Sequence, residues 1–412
     1  MSLIRPFAGL RPVPKYAQAV IAPPYDVLTS EEARARAQDQ PRSFLHVSKP
    51  EIDLPTDIDP YADEVYAKGA ENLHRLIEAG VLKQDTQACY YLYELSTGEQ
   101  CQIGLVAVAN VADYDSQRIR KHELTRPAKE DDRVRHIDVL NAQTGPVFLI
   151  YKHRPELDSI IHSVTSQVPT LDVKAKDEVN HRLWVISDQK ILKTITQLFE
   201  RMEHLYIADG HHRSAAASRV AALRQAKNSQ HQGQEAYNYF LSVIFPDNQL
   251  KILDYNRVVR DLNGLTPPQF LTRLAERFTV QPSAQAVKPQ RNGEFGMFLA
   301  NQWYQLTIHS SHIPTADPVA SLDVSLLTDF ILTPLLGITD LRRDERIDFV
   351  GGIRGLTELE KRVNSGEMAV AFSLYPTTVE ALLAVADAGQ IMPPKSTWFE
   401  PKLADGLVSH LL

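Results

Sequence analysis

The segment Leu205-Tyr206-Ile207-Ala208-Asp209-Gly210-His211-His212-Arg213-Ser214-Ala215-Ala216 reads as an apolar strand, a glycine turn and an alanine-rich helix that runs on through Leu223. A strand that feeds a helix through one glycine places the helix start at the rim of a sheet. The first amides of such a helix lack internal partners and point outward, and the helix dipole favours an anion beside them. The dipole alone contributes only ~0.3–1 kcal/mol when exposed. A phosphate held here therefore also needs the charge-assisted hydrogen bonds that Arg213, His211 and His212 offer. A purely structural reading competes, with Asp209 as the helix N-cap, Gly210 as a turn residue and the histidines as surface groups.

Working outward, Tyr90–Leu95 and Ile103–Val108 flank a Thr97-Gly98 turn and read as a hairpin. Pro146–Tyr151, Arg182–Ile186 and Tyr239–Phe245 are further strands, and Lys129–Asn141 suits a short helix with Val134, Ile137 and Leu140 on one side. Ile103–Val108, Leu205–Ala208 and Tyr239–Phe245 are expected to share one mixed sheet with Asp209–Arg213 at its rim. Upstream, the prolines of Ala22-Pro23-Pro24-Tyr25-Asp26 exclude a helix, Thr29 or Ser30 caps one beginning at Glu31-Glu32, and Tyr61–Ala79 forms a longer helix ended by Gly80. Downstream, Leu250–Leu253 follows a Pro246-Asp247-Asn248 turn. Then come a hairpin at Asn301-Gln302, a buried helix Leu322–Leu336, a strand Glu367–Leu374, a helix Thr378–Ala388 and an irregular tail 393–402. This interleaving indicates α/β or α+β, in three sections: 1–89, 90–262 and 263–412.

A second constellation lies between Arg118 and Arg135, where seven Lys/Arg stand among four acids. Within Arg120-Lys121-His122-Glu123-Leu124-Thr125, the His122-Glu123 pair begins a zinc-protease pattern, but Arg126 occupies the place of its second histidine. A carboxylate amid cations suits a general base or a magnesium ligand shared with Asp209. A salt-bridged, solvated turn is the bland alternative.

The 412 residues exceed one usual core, and 43% hydrophobic with 23% charged residues is ordinary for a globular chain. No apolar run approaches the ~20 residues of a membrane span, and the N-terminus lacks signal-peptide character. A net charge of −7 argues against coating nucleic acid. Cys89 and Cys101 belong to no paired motif, so two buried reduced thiols in a cytoplasmic protein are expected. Pro394 before Lys395-Ser396-Thr397 rules out a phosphate-binding Walker loop. Gly351-Gly352-Ile353-Arg354-Gly355 is too short for a dinucleotide fingerprint and reads as a strand-to-helix turn.

Ala22-Pro23-Pro24-Tyr25-Asp26-Val27, Lys121-His122-Glu123-Leu124-Thr125, Asp209-Gly210-His211-His212-Arg213 and Pro394-Lys395-Ser396-Thr397-x-Phe399-x-Pro401-Lys402-Leu403 occur in this order. Together they resemble a widespread prokaryotic family labelled as a domain of unknown function, over essentially the whole chain. Its Asp-Gly-His-His-Arg segment is similar to that of free-serine kinases with a ParB/sulfiredoxin-like core, which here would be 90–262. That resemblance implies a phosphotransferase making O-phosphoserine from L-serine, with ATP, ADP or pyrophosphate as donor and Mg²⁺ as cofactor. It implies Glu123, next to His122, as the group acting on the serine hydroxyl, and Asp209 as the holder of substrate amine or metal. Gly210, His211, His212 and Arg213 would bind donor phosphate, with Lys121, Thr125, Lys129 and Arg133 nearby. A nucleotide-binding or -hydrolysing regulatory protein related to ParB is the alternative, and a homo-oligomer is left open.

Overall fold

The computed structural model describes residues 2–98 and 100–412. The chain forms two compact units, Met1–Leu250 with Pro401–Leu412, and Lys251–Glu400. In the first unit, strands β1 (Ile4–Arg5), β2 (Tyr90–Thr97), β3 (Gln100–Asn110), β4 (Ile119–Arg120), β5 (Val147–Tyr151), β6 (Leu171–Lys174), β7 (Asn180–Ile186), β8 (Leu205–Asp209) and β9 (Tyr239–Pro246) build one sheet. Their order is β4-β8-β5-β9-β3-β2-β7-β6, and β1 pairs with β3. The pairs β8–β4 and β9–β5 are parallel and the others antiparallel, so the sheet is mixed as expected. β5 and β9 are buried along their whole length, which is why they read as apolar runs, broken only by Ser242 in β9.

Three helices of this unit bear on the site: α1 (Asp63–Glu78), α2 (Pro127–Leu140) and α3 (His211–Lys227). α2 starts at Pro127, whose fixed φ suits the first helical position, and the preceding Arg126 is extended at φ −98°, ψ 125°. It ends at Asn141 in the left-handed conformation. Val134 and Ile137 of α2 pack on Ala216 and Val220 of α3, and Arg219 and Arg224 of α3 pair with Glu130, Asp131 and Asp138 of α2. Thr29, one of the two caps expected, caps its helix in a reciprocal box with Glu32. The last residues return to the same unit: Ser409 bonds to Leu10, Asp405 to Ala22, and His410 lies beside Gln143.

The second unit holds an antiparallel sheet of β10 (Tyr255–Val259), β11 (Phe278–Ser283), β12 (Glu294–Leu299), β13 (Gln302–Ile308), β14 (Ile347–Gly351) and β15 (Val370–Leu374), in the order β11-β13-β12-β15-β10-β14. Ala300 and Asn301, both at positive φ, turn the expected hairpin between β12 and β13. Three expectations need correction. Leu322–Leu336 is not one helix: Asp323–Leu327 is α-helical and Thr328–Leu332 is a wider π turn. Pro334 then lacks the amide needed to continue it. Of Leu250–Leu253 only Ile252–Leu253 is extended, and it pairs with Trp398–Phe399, so the tail is not wholly irregular. Cys89 is buried, but Cys101 is exposed at the hairpin end of β3, and both are free thiols.

Candidate active site

Gly210 is the N-cap of α3 with φ 96° and ψ 27°, a left-handed conformation that glycine adopts without strain. A Cβ at this position would come within 3.1 Å of Arg213 Nε. Asp209 is therefore the last residue of β8 and not a cap. Its Oδ2 accepts a hydrogen bond from Lys402 Nζ at 3.2 Å, and its Oδ1 lies 3.8 Å from Arg213. Burial pushes the Asp209 carboxyl up, but Lys402 and Arg213 together hold it well below the usual carboxylate range. Arg213 is buried; it donates to the Pro146 carbonyl and approaches Asp26 at 3.7 Å. Burial would weaken its hold on the proton, yet Asp26 and Asp209 outweigh that and raise its pKa. This guanidinium ties β8, the chain before β5 and the Pro-Pro-Tyr-Asp segment together.

The two histidines are docking groups. The His122 backbone N–H donates to His211 Nε2 at 3.4 Å, and the Arg126 backbone N–H donates to His212 Nε2 at 2.9 Å. Each Nε2 is an acceptor, so each neutral ring carries its proton on Nδ1. His211 Nδ1 lies 3.7 Å from Glu123 Oε2. Burial lowers His211 well below an ordinary histidine, helped by His122, and burial likewise lowers His212, helped by Arg126 and Arg213. His122 is buried edge-on to His211, with ring centroids 4.5 Å apart, and burial brings it to about 4. Its Nδ1 has no hydrogen-bond partner. In this way residues 86 and 89 apart in sequence are joined, and an exposed Glu123 stands beside the start of α3.

The remaining expected donor-binding residues have partners within the protein. Lys121 Nζ sits 3.9 Å from the centre of the Tyr114 ring. Thr125 donates to Glu130 and Lys129 donates to Tyr61. Arg133 forks onto Asp132 at 2.9 and 2.7 Å and lies 3.9 Å over the Tyr25 ring. Sequence reasoning missed Asp26, Lys402 and Asp405. The first two stand in the quoted Pro-Pro-Tyr-Asp and Pro-Lys-Leu motifs, which was the available signal. Asp405 lines a cavity with Tyr25, Arg133, Thr144, Gly145 and Arg213; burial pushes it up to about 7, with Arg213 opposing.

Among the described residues no group of three or more His, Cys, Asp or Glu is placed to hold a metal ion. Magnesium commonly binds through one or two carboxylates plus a donor's phosphates, without a protein cage. Glu123 and Asp209 are the carboxylates this site offers for that mode, and such an ion would offset donor charge. No helix among the described residues is long and apolar enough to cross a membrane.

The chain resembles several solved structures at low identity. A free serine kinase in complex with AMP aligns at TM-score 0.34 and 13% identity, over 71% of this chain and 86% of the kinase. A conserved hypothetical protein from Pyrococcus furiosus aligns at TM-score 0.34 and 14% identity, covering 73% and 93%. SbnI with a C-terminal truncation, from Staphylococcus aureus, aligns at TM-score 0.38 and 10% identity, covering 73% and 85%. No curated protein matches the sequence. The profile described as "Protein of unknown function (DUF1015)" matches residues 4–325, and the chain belongs to that family.

Proposed function

We propose that the protein is a small-molecule phosphotransferase, a kinase of free L-serine. The observation that carries this reading is the junction of Glu123 with the glycine-started helix α3, made by the His211 Nδ1–Glu123 approach of 3.7 Å. Phosphoryl transfer needs alignment and charge neutralisation more than covalent help. In this reading the terminal donor phosphate lies at the amides of α3, and the Nδ1–H of His212 is a hydrogen-bond donor to it. The acceptor oxygen attacks phosphorus, the bond to the leaving phosphate breaks, and Glu123 takes the hydroxyl proton. His211 aims the Glu123 carboxylate, and Lys402 keeps Asp209 ionised. Mg²⁺ held by donor phosphates and one of these carboxylates would neutralise donor charge.

The test is incubation with L-serine, Mg²⁺ and, in turn, ATP, ADP or pyrophosphate, with O-phosphoserine measured. Product is expected with at least one donor. Glu123→Gln keeps the shape and removes the proton acceptor, so turnover should fall ~10²–10⁴-fold with donor affinity unchanged. Donor hydrolysis that serine does not alter, without phosphoserine, would replace this reading with that of a nucleotide-hydrolysing protein.

A further inference from the structure

Glu123 hangs on a loop that leaves the sheet early, and one buried ring accounts for where that loop goes. β4 pairs with β8 only at Ile119↔Leu205 and Arg120↔Tyr206. The register of β8 on β5 shifts between Ile207 and Asp209. Just past the end of the β4 ladder, the His122 ring donates to the Ile207 carbonyl. Its Nδ1 has no hydrogen-bond partner, so the donor is Nε2. A side chain thus holds the strand edge where the backbone of β4 leaves it.

The same residue closes on His211 twice. Its backbone N–H donates to His211 Nε2 at 3.4 Å, and the two rings meet at 89° with centroids 4.5 Å apart. Glu123, next in the chain, has its Oε2 3.7 Å from the other nitrogen of that ring, Nδ1. His211 is therefore clasped between residues 122 and 123, and a backbone N–H on Nε2 leaves its proton on Nδ1. His122 itself is 2% exposed and its Nδ1 meets no donor, so it offers no path for a proton to solvent. A ring kept only to fill space could equally be phenylalanine, which has no N–H for the Ile207 carbonyl.

We propose that His122 is a positioning residue: by fixing the loop on β8 and closing on His211, it keeps His211 in the tautomer whose Nδ1–H aims the Glu123 carboxylate. Its effect on turnover rests on the phosphotransferase reading, whereas the tautomer is a property of the resting protein. Acceptor hydroxyl and base must meet within hydrogen-bond reach. A carboxylate displaced by a slack loop therefore loses rate and leaves substrate binding in place.

Nitrogen chemical shifts of the full chain labelled at histidine read the tautomer directly, with His211 assigned by the signals that His211→Asn loses. The parent is expected to show one His211 tautomer, protonated on Nδ1. His122→Phe keeps a ring against His211 and loses the bond to Ile207, so a mixture of tautomers is expected. In phosphoserine formation its kcat should fall about 10–10²-fold, with KM for donor and for serine moved no more than about two-fold. His122→Gln brings back a side-chain N–H for Ile207 without the ring, so it should restore the single tautomer and part of kcat. A parent His211 protonated on Nε2, a folded His122→Phe with unchanged tautomer or kcat, or a His122→Gln no better than His122→Phe would overturn the assignment. If His122→Phe fails to fold, the parent tautomer and His122→Gln decide. The two readings fail separately. The expected tautomers without phosphoserine sink the kinase and leave the role of His122. Phosphoserine from a parent with His211 protonated on Nε2 sinks that role and leaves the kinase.

Discussion

Arg213 shows how one side chain serves stability and site together. Removing a partner from a buried ion pair leaves charge uncompensated, and Arg213→Ala also strips the Pro146 carbonyl of its donor. A loss of roughly 3 kcal/mol or more is expected, read from denaturant midpoints; a loss within a few tenths would show that these buried contacts add no stability. The buried histidines set the pH response. Burial holds His122, His181 and His410 at about 4 and His136 at about 3, against about 6.5 when unfolded. Below that value the unfolded chain takes up protons that the folded chain refuses, so stability falls with pH until the folded histidines also protonate. Each contributes about 1.36 kcal/mol per pH unit in that window. Asp323 and Asp405, pushed by burial up to about 7, act in the opposite sense, since their contribution is present at low pH and fades as pH rises towards 7. Asp209, held low, loses its contribution only below the ordinary carboxylate range. The net expectation is lower stability at pH 5 than at pH 7, and a steeper decline in Asp405→Asn. Urea midpoints equal at the two pH values would contradict it.

At the scale of elements, the turn from β8 to α3 and the loop from β4 to α2 form one device. Gly210 turns the chain, and His211 and His212 accept the backbone N–H groups of His122 and Arg126 that anchor the loop. Gly210→Ala is strained twice, by a φ of +96° and by the 3.1 Å approach to Arg213 Nε. A cost of roughly 1–3 kcal/mol is expected, with a lower melting temperature and weaker donor binding. An unchanged melting temperature would mean that the turn tolerates a side chain. The register of β8 on β5 shifts between Ile207 and Asp209, which places this irregularity at the residue whose carboxylate meets Lys402 and Arg213.

At the scale of the molecule, the chain leaves the first unit after Leu250 and rejoins it at Pro401. Residues 401–412 add Lys402 to the site, Asp405 to the cavity and Ser409 to the backbone pairing with Leu10. Truncation after Glu400 should therefore lower the melting temperature of the first unit and abolish phosphotransfer. Residues 251–400 alone, with their own six-stranded sheet, should melt cooperatively in circular dichroism. A truncated chain that melts like the full one, or a 251–400 fragment without a cooperative transition, would show this division to be mistaken.

Within the sequence itself lay the elements whose cause is local. An apolar run ended by Asp209-Gly210 and an alanine-rich stretch specify strand, turn and helix, because a left-handed glycine and helix propensity act over a few residues. Thr29, one of the two caps expected, marks its helix start for the same reason, whereas the helix expected from Lys129 begins at Pro127. The break at Thr328–Leu332 and the exposure of Cys101 were not readable, since packing and position on a strand end decide them. Only the tertiary structure decided the strand order, the joining of Glu123 to His211, and the meeting of Lys402 with Asp209 across 193 residues. It also made the two histidines acceptors of backbone N–H groups and buried Asp405 in a cavity. Such outcomes depend on which distant surfaces are buried together, and no local pattern of polarity encodes that choice.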